Sequence, residues 1–226
     1  VEEFFSAESD VVIEVMGGLH PAYDYVKNAL ALKKHVVTAN KDLIATFGHE
    51  LFQLAKENNV SLKFEAAVAG GIPIIKPLTE SLYGNGINSI QAILNGTTNF
   101  ILTKMDKEGL SYEEALKEAQ ELGFAEANPE SDVMGYDSAR KLAILSSLAF
   151  DQKFQWSDIS IEGITNIDEN DFKYANKLKC KIKLVAESFK CKRGIYTSVK
   201  PILVDEQSIL AVSYTHLRAH ETKANL

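Results

Sequence analysis

Cysteine is scarce in this chain: 226 residues contain only Cys180 and Cys191. Neither has a partner at metal-ligand spacing, which excludes a disulfide framework and a zinc module, and both thiols read as structural. No apolar run reaches the roughly 18 to 20 residues needed to cross a bilayer. No charged, then apolar, then small-residue leader opens the chain, so a cytoplasmic location is expected. Basic residues are outnumbered, with 24 Lys+Arg against 31 Asp+Glu and a net charge of −7. Without a long basic run such a chain is a poor partner for a phosphate backbone, which argues against nucleic-acid binding. Internal repeats and low-complexity segments are absent. So is an initiator Met: the chain opens at Val1, close to a β-prone run, and reads as a fragment. What is left, 46% apolar and 24% charged, suits one large globular domain or two small ones.

Val11-Val12-Ile13-Glu14-Val15-Met16 is a short β-prone run that stops at Gly17-Gly18, and Pro21 sits where a helix through residue 33 can begin. His35-Val36-Val37-Thr38-Ala39 repeats the pattern, followed by Asn40-Lys41-Asp42 and a stretch with Phe47, Leu51, Leu54 and Ala55 at helical spacing. Residues 62–68 read as a third strand, ending in Ala69-Gly70-Gly71-Ile72-Pro73. Strands alternating with helices indicate a parallel, helix-covered sheet that places ligands beyond the carboxyl ends of its strands. Near residue 70 the rhythm changes and a domain transition is expected. The pattern then predicts a helix over 74–82, a strand over 89–94 running into Asn95-Gly96-Thr97-Thr98-Asn99, and a helix over 112–122. Ser111-Tyr112-Glu113-Glu114 opens that helix as a capping box and Gly123 closes it. A long helix over 132–150, another over 168–178, and strands over 181–189 and 195–204 joined at Cys191-Lys192-Arg193-Gly194 complete the pattern.

Chemistry concentrates in a few places. At 100° per residue Asp137, Lys141, Ile144 and Leu148 share one narrow helix face, flanked by Leu142, Leu145 and Ala149, while Arg140 falls to the polar side. The bland explanation is an i,i+4 acid–base pair at the edge of the core, worth a few tenths of a kcal/mol (about 0.2–0.5) when exposed. The functional one is a partly desolvated lysine beside a carboxylate lining a cleft, tuned for proton transfer or substrate binding. Glu126, in the irregular Ala125-Glu126-Ala127-Asn128-Pro129 segment, supports the second. Lys41 directly follows a buried-type strand and should project from the carboxyl edge of the sheet, although the positive end of a helix dipole does not favour a lysine there. Glu65 precedes a Gly-Gly turn rich in carbonyls, where a hard monovalent cation or simply an ion-free turn would fit. Gly17-Gly18 lets backbone approach a cofactor, though a glycine pair alone is a weak signal.

Four motifs taken together resemble the homoserine dehydrogenase family: Thr38-Ala39-Asn40-Lys41; Glu65-Ala66-Ala67-Val68-Ala69-Gly70-Gly71-Ile72-Pro73-Ile74-Ile75; Asn95-Gly96-Thr97-Thr98-Asn99; and Gly123-Phe124-Ala125-Glu126-Ala127-Asn128-Pro129 through Asp137-Ser138-Ala139-Arg140-Lys141. They stand in the family's order and at its spacing over residues 9 to 212. The resemblance implies an α/β fold: a partial Rossmann-type parallel sheet in residues 1–70, then an α+β catalytic and dimerisation domain in residues 71–212. It implies an NAD(P)H-dependent oxidoreductase interconverting L-homoserine and L-aspartate 4-semialdehyde, acting as a homodimer on a small-molecule substrate, away from membranes and nucleic acids. Lys41 and Lys141 would flank the reacting centre, Lys141 as proton donor, with Glu126 and Asp137 holding the substrate. Met16, Gly17, Ala39, Lys41 and Gly123 correspond to positions lining the dinucleotide. Glu65 with the carbonyls of Val68, Gly70 and Ile72 would bind a structural Na⁺.

The departures are equally specific. The glycine-rich phosphate turn of this family should lie upstream of Val1, together with the residue that separates NAD from NADP, so the chain alone is expected to be inactive. Residues 213–226 depart from the family pattern. His216 and His220 have the spacing of a helical metal pair, but Glu221 is not where a zinc protease motif puts it, and the segment reads as translated adapter sequence. Two other readings stay open: a related dehydrogenase for another amino-acid-derived aldehyde or imine, and a non-catalytic fragment or assembly module.

Overall fold

The computed structural model describes residues 8–212; the expectation for residues 213–226 lies outside the described residues. Strand β1 (Val11–Glu14), helix α1 (Ala22–Ala31), β2 (His35–Thr38), helix α2 (Lys41–Glu57) and β3 (Leu62–Lys63) form a parallel three-stranded sheet in the order β1-β2-β3. Val12 lies opposite Val36, and Val36 opposite Leu62. Because side chains alternate along a strand, these three enter one core with Val26 and Leu30 of α1 and Leu43 and Leu51 of α2. Val11, Ile13 and Val37 point the other way and stay exposed. The connections from β1 to α1 and from β2 to α2 therefore leave the same carboxyl edge, as the alternation predicts.

The second half begins at β4 (Ser89–Ala92) and continues through α3 (Gly96–Glu108), α4 (Tyr112–Glu121), α5 (Glu130–Val133), α6 (Tyr136–Phe150), β5 (Ser160–Ile161), α7 (Glu169–Lys177), β6 (Cys180–Cys191) and β7 (Gly194–Asp205). Its sheet has the order β4-β6-β7-β5, antiparallel except for the β5–β7 pair. Phe100, Ile101, Leu142, Leu184 and Val199 share its core. Helix α6 belongs to both halves: Ala139 and Leu142 pack into this second core, while Ile144 and Leu145 pack into the first. The start of α6 consequently lies at the seam between the two sheets.

Several expectations need correction. The third strand pairs only at Leu62–Lys63; Glu65–Ala67 is a single 3₁₀ turn, and Ala69 and Gly70 then take positive φ values of 62° and 46° that end any extended run. The helix expected over 74–82 is present over residues 75–81, widened to a π-type turn at Pro77–Ser81 in which Leu82 N donates to the Pro77 carbonyl at 2.8 Å. The long helix expected over 132–150 is two. Gly135, at φ 83°, breaks it, and a Cβ there would lie 3.1 Å from Ile161 Cγ2 and 3.2 Å from Val199 Cγ1. That position needs both glycine's freedom and its lack of a side chain. Helix α3 gave no periodic signal because Phe100, Ile101, Leu102 and Met105 bury several of its faces and leave no single stripe. The capping box at Ser111 is present, and Asp168 forms a second one before α7.

Candidate active site

Three chain segments converge at the seam. Asn40 caps α2 through its side chain, accepting from Leu43 N at 3.0 Å, which fixes Lys41 as the first helical residue. Gly135 starts α6 one residue before Tyr136, so Asp137 and Lys141 project from its first two turns. Asn95, the cap of α3, accepts from Thr98 N at 2.8 Å through Oδ1 and donates through Nδ2 to Asp137 Oδ2 at 2.9 Å and Asp132 Oδ1 at 2.7 Å.

Asp137 is the hub of the cluster. Lys141 Nζ lies 2.8 Å from its Oδ2 and Lys41 Nζ 3.0 Å from its Oδ1. Lys141 also donates to the Leu94 carbonyl at 3.0 Å. Asp137 is 3% exposed and Lys141 5%. Burial pushes the Asp137 carboxyl up, but the charges of Lys141 and Lys41, with hydrogen bonds from Lys141 and Asn95, outweigh it and hold the group below its ordinary value. The result is a buried ammonium locked to a carboxylate, with a second ammonium, Lys41, half-buried on the other side. Two cations converging on one anion can stabilise a second negative charge developing beside them.

The carboxyl edge of the first sheet forms the adjoining wall. Glu14, buried at the end of β1, accepts from Met16 N at 2.7 Å and Gly17 N at 3.3 Å and takes a short hydrogen bond from Thr38 Oγ1. Thr38 Oγ1 in turn accepts from Asn40 N at 2.9 Å, and Asn40 Nδ2 donates to the Gly18 carbonyl at 2.7 Å. This network ties the Met16–Gly18 turn to the start of α2. Gly17 and Gly18 have φ values of 75° and 71°, with no atom of the described residues within 4 Å of where a Cβ would stand, and Ala39 is exposed beside them. The rim is open and free of bulky side chains at its glycines, which suits close approach by a nucleotide.

Gly123, at φ 76°, lies in a loop tied to α3: Phe124 stacks on Phe100 at 4.7 Å and its carbonyl accepts from Thr97 Oγ1 at 2.7 Å. Glu126 is exposed, and its backbone carbonyl accepts from Gln120 Nε2 at 3.1 Å. Glu65 is set apart from these groups. Its carboxylate accepts from the N–H groups of Ile74, Ile75 and Lys76 at 2.6, 2.9 and 2.9 Å. Burial pushes that carboxyl up, yet these three bonds and the Lys76 charge leave it below its ordinary value. A cavity of about 940 Å³ lies against Ile44, Phe52, Leu78, Tyr83, Ile144 and Leu148, and its lining includes none of Lys41, Asp137 and Lys141. Volume alone does not mark this site.

In the sequence Asn95 stands out only as the first residue of the Asn95-Gly96-Thr97-Thr98-Asn99 motif, without a role of its own, and Asp132 and the Leu94 carbonyl have none. Asn95 had a readable signal, since Asn-Gly-Thr-Thr has the form of a helix start; Asp132 and Leu94 enter only through folding.

Residues 1–65 match the family described as "Homoserine dehydrogenase, NAD binding domain", and residues 73–224 match "Homoserine dehydrogenase". The chain belongs to the homoserine dehydrogenase family. The homoserine dehydrogenase of Bacillus subtilis is 48% identical over 210 residues, covering 93% of this chain and 48% of that protein. That of Neisseria gonorrhoeae is 48% identical over 202 residues, covering 89% and 46%. The crystal structure of a homoserine dehydrogenase from Thiobacillus denitrificans superposes with a TM-score of 0.89 at 46% identity, covering 92% of this chain and 48% of that one. A hyperthermophilic archaeal homoserine dehydrogenase mutant in complex with NADPH superposes with a TM-score of 0.77 at 34% identity, covering 91% and 59%. The chain thus spans about half the length of the curated relatives it matches. Lys41 lies in the NAD-binding match and Asp137 and Lys141 in the other, so the Lys41–Asp137 ion pair bridges the two. Among the described residues no helix is long and apolar enough to cross a membrane.

Proposed function

We propose that this chain is part of a homoserine dehydrogenase that interconverts L-homoserine and L-aspartate 4-semialdehyde with NAD(P)H, in the biosynthesis of threonine, methionine and isoleucine. One observation carries the reading: the Asp137 carboxylate sits between Lys141 at 2.8 Å and Lys41 at 3.0 Å, across the two parts of the family match. The bound nicotinamide would supply or accept the hydride. Lys141 gives a proton to the carbonyl oxygen as the alkoxide develops, and Asp137 keeps that ammonium aligned. Lys41 adds a second positive charge, worth most in the transition state, where the oxygen is negative. Asp137 and the exposed Glu126 hold the hydroxyl or aldehyde and amino ends of the substrate. Met16, Gly17, Ala39, Lys41 and Gly123 line the dinucleotide, which the open Gly17-Gly18 rim accommodates.

A structural Na⁺ belongs to the same proposal, held by Glu65 and the carbonyls of Val68, Gly70 and Ile72. An ionised carboxylate offers about four acceptor sites. Three of Glu65's receive backbone N–H groups, which leaves room for one bond to a hard cation. Replacing choline by Na⁺ is expected to raise the thermal midpoint, and an unchanged midpoint removes the ion from the scheme. The protein is proposed to work in the cytoplasm as a homodimer built through its second domain. The test of function is homoserine-dependent reduction of NAD(P)⁺ by the chain extended to its relatives' full length. Turnover that disappears in Lys141→Ala is expected; an extended protein with no turnover, or an unaffected variant, overturns the assignment.

A further inference from the structure

Lys41 and Asp42 are consecutive at the start of α2, and Asp137 and Arg140 lie one turn apart at the start of α6. Their charges meet in crossed order. Lys41 Nζ is 3.0 Å from Asp137 Oδ1, and Arg140 Nε is 3.2 Å from Asp42 Oδ1. Helical periodicity put Arg140 on the polar side of α6; the fold withdraws most of it from water, leaving its side chain 22% exposed. Two groups of the second half hold it there, and a third backs one of them. Nη1 donates to Ser131 Oγ at 3.0 Å, the guanidinium lies 4.6 Å from the Trp156 ring centroid, and Trp156 packs 6.1 Å from Tyr136. A planar cation already stacked and hydrogen-bonded loses little freedom when it pairs.

Asp42 presents the complementary half. Its Oδ1 is buried and receives no aligned hydrogen bond, so the Arg140 contact is an ionic one. Lys41 has no such anchor of its own: its side chain is 33% exposed and long enough to adopt many rotamers, so its reach to Asp137 depends on where α2 begins.

We propose that Asp42 and Arg140 are positioning residues that clamp the start of α2 against α6 and thereby set where the Lys41 ammonium meets Asp137. Neither has to touch substrate. The catalytic value of the clamp rests on the functional reading of Lys41 and Asp137 above, whereas the placement of Lys41 is measurable without turnover.

The measurement is the titration midpoint of the Asp137 carboxyl carbon, followed by ¹³C NMR in the full chain. Lys41 faces this carboxylate from α2, Lys141 from its own helix and Asn95 from the start of α3, with Asp132 sharing the Asn95 amide and Arg140 one turn on. Asp42→Asn gives the decisive sign. Losing a nearby negative charge lowers the Asp137 midpoint by direct electrostatics, whereas releasing Lys41 raises it. The midpoint is expected to rise towards that of Lys41→Met, and in the Lys41→Met background Asp42→Asn is expected to produce no rise. Arg140→Gln should raise the midpoint as well, with part of the rise lost in the Lys41→Met background. Asn and Ser are both accepted near helix starts, so Asp42→Ser provides a second folded variant with the same expected sign. A midpoint that falls or stays in Asp42→Asn and Asp42→Ser overturns the clamp. Because this readout needs no substrate, it holds even if Lys141→Ala leaves turnover intact.

Discussion

Lys141 on α6 and Lys183 on β6 are both withdrawn from water, 5% and 3% exposed, yet the balance of burial and charge differs between them. Lys141 meets the Asp137 carboxylate at 2.8 Å and the Leu94 carbonyl at 3.0 Å. Lys183 donates to a neutral oxygen, Asn99 Oδ1, at 2.9 Å. Burial pushes the Lys183 ammonium down to about 8; the Asp106 charge opposes this, while Lys107 and Lys181 add to it. Asp106 itself is engaged by Lys181 at 2.8 Å. A buried lysine is therefore not by itself the mark of a site. What marks the Lys141 site is a carboxylate held between two converging cations, Lys141 at 2.8 Å and Lys41 at 3.0 Å, at the edge of an open rim.

Replacing the shared anion should break this contrast most severely. Asp137→Asn leaves Lys41 and Lys141 facing an uncharged amide, and urea unfolding at pH 7 is expected to show a loss of about 3–5 kcal/mol, the cost of breaking a buried pair. The loss should shrink in acid. The folded Asp137 carboxyl lies below its ordinary value, so its stabilisation is complete above the unfolded value and disappears as pH falls through the folded one. Lys183→Met should have the opposite character, leaving stability at pH 7 unchanged or about 1 kcal/mol higher, because it removes a desolvated charge. The folded Lys183 holds its proton less tightly than the unfolded residue. The wild type should therefore gain stability relative to Lys183→Met as pH rises from about 8 towards 10.5, measurable as a growing urea midpoint. A Lys183→Met protein as unstable as Asp137→Asn would erase the distinction. Glu65→Ala offers a smaller effect: it removes the acceptor for three backbone N–H groups and should cost about 1–2 kcal/mol in the same assay.

Much of this arrangement was legible before folding. The β1–α1–β2–α2 alternation, the capping box at Ser111 and the Asp137–Lys141 spacing all follow from local rules, because each depends on residues within one or two turns. Lys41 was legible as a residue at the carboxyl edge of the sheet from the strand before it, and the resemblance to homoserine dehydrogenases set it opposite Lys141 at the reacting centre. The long-range pieces were not legible. Asn95 reaches Asp137 across 42 positions, and Arg140 is drawn from the polar face of its helix by Trp156 and Asp42, which periodicity within α6 cannot register. The broken helix at Gly135 and the truncated third strand fail for a related reason. Gly135 must avoid Ile161 and Val199, and Glu65 folds across to residues 74–76; both are tertiary demands that override a local pattern.

The two lysines also supply the most direct test of the central claim. In the form extended to full length, kcat for homoserine-dependent NAD(P)⁺ reduction should be measured side by side for Lys141→Ala and Lys183→Ala. Loss of a positioned proton donor should lower kcat by about 10²- to 10⁴-fold in Lys141→Ala, with Lys183→Ala remaining within a few fold of wild type. Equal losses in both, or full turnover in Lys141→Ala, would contradict the assignment of catalysis to the Lys41–Asp137–Lys141 seam.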